Sequence, residues 1–447
     1  MRILHYFLGF PPYRTGGLTI FVTDLMEAQV KKDHCVMALW PGQMCVFNQA
    51  VRIAKRKDVN GVKNYELLNP LPVSLDEGIK DCRAYTASCD VSVYLAFLNE
   101  VKPDVIHFHT LMGLHKELVE AANALTIKTV FTTHDYFGIC PKVTLYRSGC
   151  PCTEDHGCAD CVQCNRQALS LQKVRLMQSP FYRLLKNSPA VRTLRKQHRN
   201  AFFLTEENAE GIEVFDRVSV EEYQRLRDYY KRLLECMDVI HFNSELTAHV
   251  YQRYMTPKNS RVITITHKNI SDHRTENEWK PGDKLRIGFL ASTKPYKGFP
   301  ILKQALDALW EAGKRDFVLH VYSDVVNPSP YMVIEKQGFD YRALPGIFAG
   351  TDVLAAPSVW YETFGFTVLE ALSYGVPVIV SENVGAKSVV GEGGIVVPPG
   401  NVEALKNAIV HLDYRQQMKM RNYIRQKFSI KTCETMVQEI YDLYQLN

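Results

Sequence analysis

The chain has 447 residues, enough for about two domains that each bury a core of their own. A hydrophobic content of 46% and a charged content of 23% exclude a disordered protein, and a net charge of +5 gives no reason to expect a nucleic-acid partner. The sequence holds no apolar run of about 18 residues, which argues against a membrane-spanning helix.

Met1 to Leu8 lacks the long apolar core and small-residue cleavage site of a secretion signal, and Pro11-Pro12 follow at once; it reads as a first strand of a cytoplasmic protein. Further strand-like runs are Val36–Trp40, Val105–His109, Thr129–Thr133 and Val239–Phe242. A second series is Leu285–Leu290, Phe317–Tyr322, Val353–Ala356, Val376–Val380 and Gly394–Val397. Helical patterns alternate with them, among them Ile20–Val30, Ile301–Leu309 and Ile430–Leu446. That alternation predicts an α/β protein with two doubly wound parallel sheets. The polar stretch His267 to Asp283 is the natural linker. The expected division is 1–270, with an insertion at 140–205, then 271–429, then a closing helix at 430–447.

Ligands of open α/β sheets bind beyond the carboxyl ends of the strands, so those loops deserve the closest reading. After the first strand, Gly16-Gly17 leads into a helix and lets the backbone approach a ligand. After Thr129–Thr133 comes His134-Asp135-Tyr136, where His134 can hydrogen-bond a polar ligand and Asp135 can fix its tautomer. His107 and His109 share a face at another strand end and read as cleft lining. In the second half, Lys297-Gly298 follows a strand, a placement that suits a phosphate cation, with Lys294 nearby. Glu362 and Glu370 flank the loop Thr363-Phe364-Gly365-Phe366 and the helix opening near Thr367, whose amides and dipole favour a bound anion.

Six cysteines fall between Cys140 and Cys164, and Cys158-x2-Cys161 has the spacing of a zinc knuckle. The expected structural zinc takes Cys158, Cys161 and two others, Cys140 and Cys152 being the named pair; reduced thiols packing a surface loop are the alternative. From Arg166 to Arg199 there are nine Lys/Arg and no acidic residue, interleaved with Leu176, Phe181, Leu184, Leu185 and Leu194. Such a segment suits an anionic membrane surface, or else is a solvated face.

The spacing Glu362-x7-Glu370, set between Asp352-Val-Leu-Ala-Ala-Pro-Ser358 and Gly375-Val-Pro-Val, resembles the signature of the family-4-type retaining glycosyltransferases, the group 1 glycosyl transferase family. The His134-Asp135 pair and the Lys297-Gly298 segment match the same pattern; Ser292 departs from it, standing where many members have arginine. The resemblance implies a GT-B fold, two Rossmann-like domains facing a central cleft, with the last helix crossing back to the first domain. It implies a retaining hexosyltransferase that uses a UDP- or GDP-sugar and a glycan or lipid-linked acceptor, as in capsule, O-antigen or exopolysaccharide synthesis. His134 and Glu362 would be catalytic. Gly16, Gly17, Lys297, Phe364, Gly365, Phe366, Thr367 and Glu370 would hold the donor, Glu370 at its ribose, and no cofactor would be required for catalysis. The enzyme would sit peripherally on the inner face of the membrane. A nucleotide-sugar epimerase of the same architecture, or a binding or scaffold protein with a degenerate donor site, are the other readings.

Overall fold

The computed structural model describes residues 1–45, 47–74, 77–154, 156–186, 188–191, 193–195, 197, 217–274, 282–335 and 339–446. In the first domain the strands are β1 (Arg2–Tyr6), β2 (Cys35–Pro41), β3 (Arg52–Val59), β4 (Val62–Leu68), β5 (Val105–Phe108), β6 (Lys128–Thr133), the short pair β7 (Tyr146–Arg147) and β8 (Cys150–Pro151), β9 (Val239–Phe242) and β10 (Ser260–Val262). Apart from β7 and β8 they form one eight-stranded sheet in the order β10-β9-β6-β5-β1-β2-β4-β3, parallel except for the β3–β4 hairpin. Ile3 lies beside both Val36 and Val105, so the sheet reverses its winding at β1 and the loops after β1, β5 and β6 converge.

The second domain carries β11 (Leu285–Phe289), β12 (Phe317–Val321), β13 (Met332–Ile334), β14 (Val353–Ala356), β15 (Val378–Ser381) and β16 (Gly394–Val397), all parallel, in the order β13-β12-β11-β14-β15-β16. Its winding reverses between β11 and β14, which brings the Lys297 loop beside the Glu362 loop. β15 begins at Val378, two residues later than its apolar run suggests. Gly375, at φ 77°, ends the preceding helix, and Pro377 has no N–H to give a ladder.

Central strands such as β1 and β5 are buried on both faces, as a parallel sheet covered by helices requires. The helix Gly17–Lys31 turns Phe21, Val22, Leu25, Met26 and Gln29 inward. One apolar cluster then runs from Phe21 and Leu25 through Phe364, Val368 and Leu372 of the second domain to Met436, Val437 and Ile440. The last of these belong to the helix Cys433–Gln445, which packs on the first domain against the helix Gly17–Lys31 and β6. The linker is anchored as well, since Lys268 N donates to Asp24 and Arg274 Nη1 to the carbonyl of Ile424.

Candidate active site

The loop after β14 turns at Gly365. Gly365 adopts φ 98°, and a Cβ there would come within 2.9 Å of Val384, so only glycine fits without strain. The helix Phe366–Ser373 starts immediately after it. Among the described residues the amides of Phe364, Gly365, Phe366 and Thr367 donate to no other group of the protein, while the carbonyl of Phe364 is taken up by Ala386 N at 2.7 Å. Four amides without a protein acceptor at a helix start can serve an anion.

Glu362 stands at the entrance to that loop. Its backbone is pinned to the turn after β15, with its N–H donating to Asn383 O at 2.8 Å and its carbonyl accepting from Gly385 N at 2.9 Å. Its carboxylate accepts from Lys297 Nζ at 2.7 Å and from Ser358 Oγ at 2.5 Å. Burial works to raise the Glu362 carboxyl, but the Lys297 charge and these hydrogen bonds outweigh it and hold it below the ordinary value. Lys297 also lies 4.8 Å from the centre of the Trp360 ring. Its position depends on Gly298, at φ 79°, where a Cβ would meet Pro357 O at 1.9 Å. Glu362 and Lys297 thus neutralise each other. Lys294 Nζ donates to Tyr296 OH at 2.8 Å, and Ser292 is exposed.

Glu370 sits one residue past the first helical turn, not in it, and is only 4% exposed. Its Oε1 pairs with His267 Nε2 at 3.0 Å, and the His267 ring packs edge-on against Tyr341 and Phe366. His267, which sequence reasoning placed in a bland linker, is therefore a neighbour of the expected nucleoside end of the site.

The first domain faces this loop closely. A Cβ on Gly17 would lie 3.4 Å from the Phe366 ring, whereas Gly16 at φ 116° opens onto empty space. Thr363 Oγ1 donates to the carbonyl of His134 at 3.2 Å. The His134 ring packs on Phe21, and burial pushes its pKa down to about 3, so it is a neutral imidazole. Asp135 does not hold it. The Asp135 carboxylate accepts from Phe137 N at 2.9 Å and Thr110 Oγ1 at 3.3 Å, and burial raises its pKa to about 7. The contact of His134 Nε2 is instead His109 Nδ1, at 3.4 Å. His107 and His109 are fully buried beneath the cleft and do not line it, because β5 is an interior strand covered on both faces. Together with His5 they bring three imidazoles close enough for a metal ion, but their ring nitrogens are already engaged in hydrogen bonds.

The cysteine-rich insertion closes around a cavity of about 20 Å³, lined by Cys140, Cys152, Cys161 and Cys164 together with Asp160 and Arg227. Cys158 does not line it; it is packed, like Cys161, in the apolar core of the first domain. Of the basic segment, Arg192, Lys196 and Arg199 lie outside the described residues. Arg183 and Lys186 turn inward, Arg183 to Glu66 at 3.0 Å and Lys186 to the carbonyl of Tyr13 at 3.0 Å. The outward face carries Leu176, Phe181, Leu184, Leu185 and Leu194, all exposed. No helix among the described residues is long and apolar enough to cross a membrane.

Residues 284–413 match the family model described as glycosyl transferases group 1. The O-antigen chain mannosyltransferase B of Escherichia coli is 34% identical over 105 residues, which cover 22% of this chain and 27% of that one. An uncharacterized 41.2 kDa protein in the cps region of Klebsiella pneumoniae is 28% identical over 181 residues, 38% of this chain and 49% of its own length. The chain therefore spans about a quarter and about half of the curated relatives it matches. In overall fold it is similar to HepE of Anabaena, solved with UDP and glucose, at a TM-score of 0.56 and 15% identity over the whole of both chains.

Proposed function

We propose, from a second domain that belongs to the group 1 glycosyl transferases and a chain with the GT-B fold, that this protein transfers a sugar from a nucleoside-diphosphate donor to a glycan or lipid-linked acceptor. The observation that carries the proposal is the pairing of Glu362 with Lys297 beside four unused amides, Phe364 to Thr367, across from Gly17 and His134. A diphosphate entering there takes Lys297 and the amides, and Glu362, released from Lys297, is left to hold sugar hydroxyls. Charge developing on the leaving diphosphate then meets fixed dipoles and one cation, the arrangement that lowers such a barrier most. Glu370, with His267 and Tyr341, suits the ribose end. Retention of anomeric configuration and a hexose donor are part of this reading, as is a role in surface-polysaccharide assembly, which the O-antigen and cps-region relatives favour.

A panel of UDP-, GDP- and ADP-sugars in a thermal-shift assay tests the donor. A true donor at one hundred times its dissociation constant adds about 2.7 kcal/mol. Glu362→Gln should then lose transfer by orders of magnitude while still binding the nucleotide; near-normal turnover in a folded Glu362→Gln variant refutes the assignment.

Two accessory features belong to the same proposal. Cys140, Cys152, Cys158 and Cys161 would hold a structural zinc that braces the wall next to His134 without entering the chemistry; their thiols would have to draw together on binding, because among the described residues only His5, His107 and His109 bring three candidate ligand atoms within 4.8 Å of one another. The apolar face Leu176 to Leu194, with Lys173, Arg175 and Arg195 exposed around it, would seat the enzyme on an anionic bilayer where a lipid-linked acceptor lies.

A further inference from the structure

Beneath the cleft runs an unbroken line of hydrogen bonds that the chemistry above does not use. It starts at the carbonyl of Ile263, 2.8 Å from His241 Nε2, and passes from His241 Nδ1 to Thr132 Oγ1 at 2.9 Å and on to His107 Nε2 at 2.6 Å. From His107 Nδ1 it continues to Tyr444 OH at 2.8 Å, to Gln29 Nε2 at 3.2 Å, and from Gln29 Oε1 to His5 Nε2 at 2.7 Å. His5 Nδ1 meets His109 Nε2 at 3.0 Å, and His109 Nδ1 meets His134 Nε2 at 3.4 Å. His5, His107, His109 and His241 are fully buried. Burial also depresses all five histidine pKa values, so each ring carries one proton and has one donor and one acceptor nitrogen.

With neutral rings, a single end fixes the direction of the whole line. A carbonyl only accepts, so His241 carries its proton on Nε2 and its Nδ1 must accept from the Thr132 hydroxyl. That hydroxyl, its one proton spent, accepts from His107 Nε2. His107 Nδ1 then accepts from Tyr444, Tyr444 accepts from the Gln29 amide, and Gln29 Oε1 accepts from His5 Nε2. His5 Nδ1 accepts from His109 Nε2, and His109 Nδ1 accepts from His134 Nε2. An inverted Gln29 amide would set its oxygen against a Tyr444 oxygen that has no proton left to give.

We propose that this line holds His134 as its Nε2–H tautomer and so presents an unprotonated Nδ1, which has no partner among the described residues, to the cleft as a hydrogen-bond acceptor. The group His134 recognises is then a hydroxyl, on the donor sugar or the acceptor, and not a phosphate oxygen. Thr132, His109, His5, Gln29 and Tyr444 are positioning residues. Tyr444, on the closing helix, gives that helix a polar task in addition to its apolar packing. This inference rests on the transferase reading for the identity of the hydroxyl, but the tautomer itself does not depend on it.

The test is a long-range 1H–15N correlation spectrum of [15N]histidine-labelled full-length protein without substrate, assigned by single substitution. It reports which ring nitrogen carries the proton. His5, His107, His109, His134 and His241 should all be Nε2–H. Thr132→Val keeps the shape of the strand and cuts the line next to His241. His241 should stay Nε2–H, whereas His107, and through it His134, become free to invert, so the His134 pattern changes. Tyr444→Phe cuts the same line at another link and is read in the same way should Thr132→Val fail to fold. An Nδ1–H form of any of the five in the native protein overturns the proposal, as does an unaltered His134 pattern in a folded cut variant. Because no substrate is present, loss of the tautomer result leaves the transferase proposal standing, and absence of transfer leaves the spectra intact.

Discussion

Lowering the pH from 7.5 to 5.5 should strip most of the stability from the first domain, and the magnitude follows from its buried histidines. Burial pushes His5 and His241 down to about 4, His134 to about 3, and His107 and His109 well below 6.5. His115, held by the Tyr94 hydroxyl at 2.9 Å, also falls to about 4. Between pH 6.5 and these values the unfolded chain binds a proton at each site that the folded one does not, so stability present above 6.5 is lost as the pH falls. Each histidine loses about 1.4 kcal/mol by pH 5.5, roughly 8 kcal/mol for the six. Asp135 runs the other way. Its folded pKa is raised to about 7, so protonation on the way down restores about 2 kcal/mol. The net loss of about 6 kcal/mol compares with a typical total of roughly 5–15 kcal/mol. At a urea slope of about 3 kcal/mol per molar, the midpoint should fall by about 2 M. Trp40, buried in this domain and the only tryptophan before residue 270, reports the transition by fluorescence. Equal midpoints at the two pH values would mean that the histidines are already charged or exposed, and would remove the basis for a fixed His134 tautomer.

Other perturbations bear on the site. Gly298→Ala forces a Cβ to 1.9 Å from Pro357 O at a left-handed φ, so the Lys297 loop must move; donor affinity should drop at least tenfold in a titration, and an unchanged value means that Lys297 does not contact the donor. Purified, reduced protein should contain about one zinc per chain by elemental analysis, and finding no zinc in reduced, active protein leaves only thiols packing the loop. Phe181→Ser with Leu184→Ser should release the protein from anionic vesicles without altering donor hydrolysis in solution; equal binding by the double variant makes that face a merely solvated one.

The grouping of the expected donor residues was legible because it is local. Glu362, Gly365 and Glu370 fall within one strand–loop–helix, and the parallel units that carry them show as alternating apolar runs. The β3–β4 hairpin was missed although Asn60-Gly61, both at positive φ, is a strong turn signal; the four charged residues Lys55 to Asp58 before it hide the alternation a strand would show. The histidine line was illegible for a different reason. Its links join His5 to His109 and His107 to Tyr444, and no local pattern marks Gln29 or Tyr444 as partners of either. Even the visible pair His107 and His109 misled, since sharing a face does not say whether the face is wet. Asp135 is the same lesson at shorter range: adjacency to His134 suggested a hydrogen bond, but consecutive residues leaving a strand point apart, and its carboxylate closes its own turn instead.

These facts constrain what can neutralise a diphosphate in this cleft. Burial keeps His134 and His109 of the first domain uncharged, and Ser292 supplies no cation. Lys297 is present, but its charge is shared with Glu362 until a ligand separates them. Lys294 is held by Tyr296, whose ring packs in turn on Tyr146 of the cysteine-rich insertion. In the proposed donor site the amides of Phe364 to Thr367 would add fixed dipoles to Lys297, and their geometry depends on Gly365 having no side chain. A cleft arranged in this way binds an anion by fixed dipoles that need no reorganisation when charge shifts onto the leaving group, which is where a transferase gains most of its rate. The same arrangement holds Glu362 unprotonated beside Lys297, so that under the proposed function a donor whose phosphate takes Lys297 would leave Glu362 to the sugar.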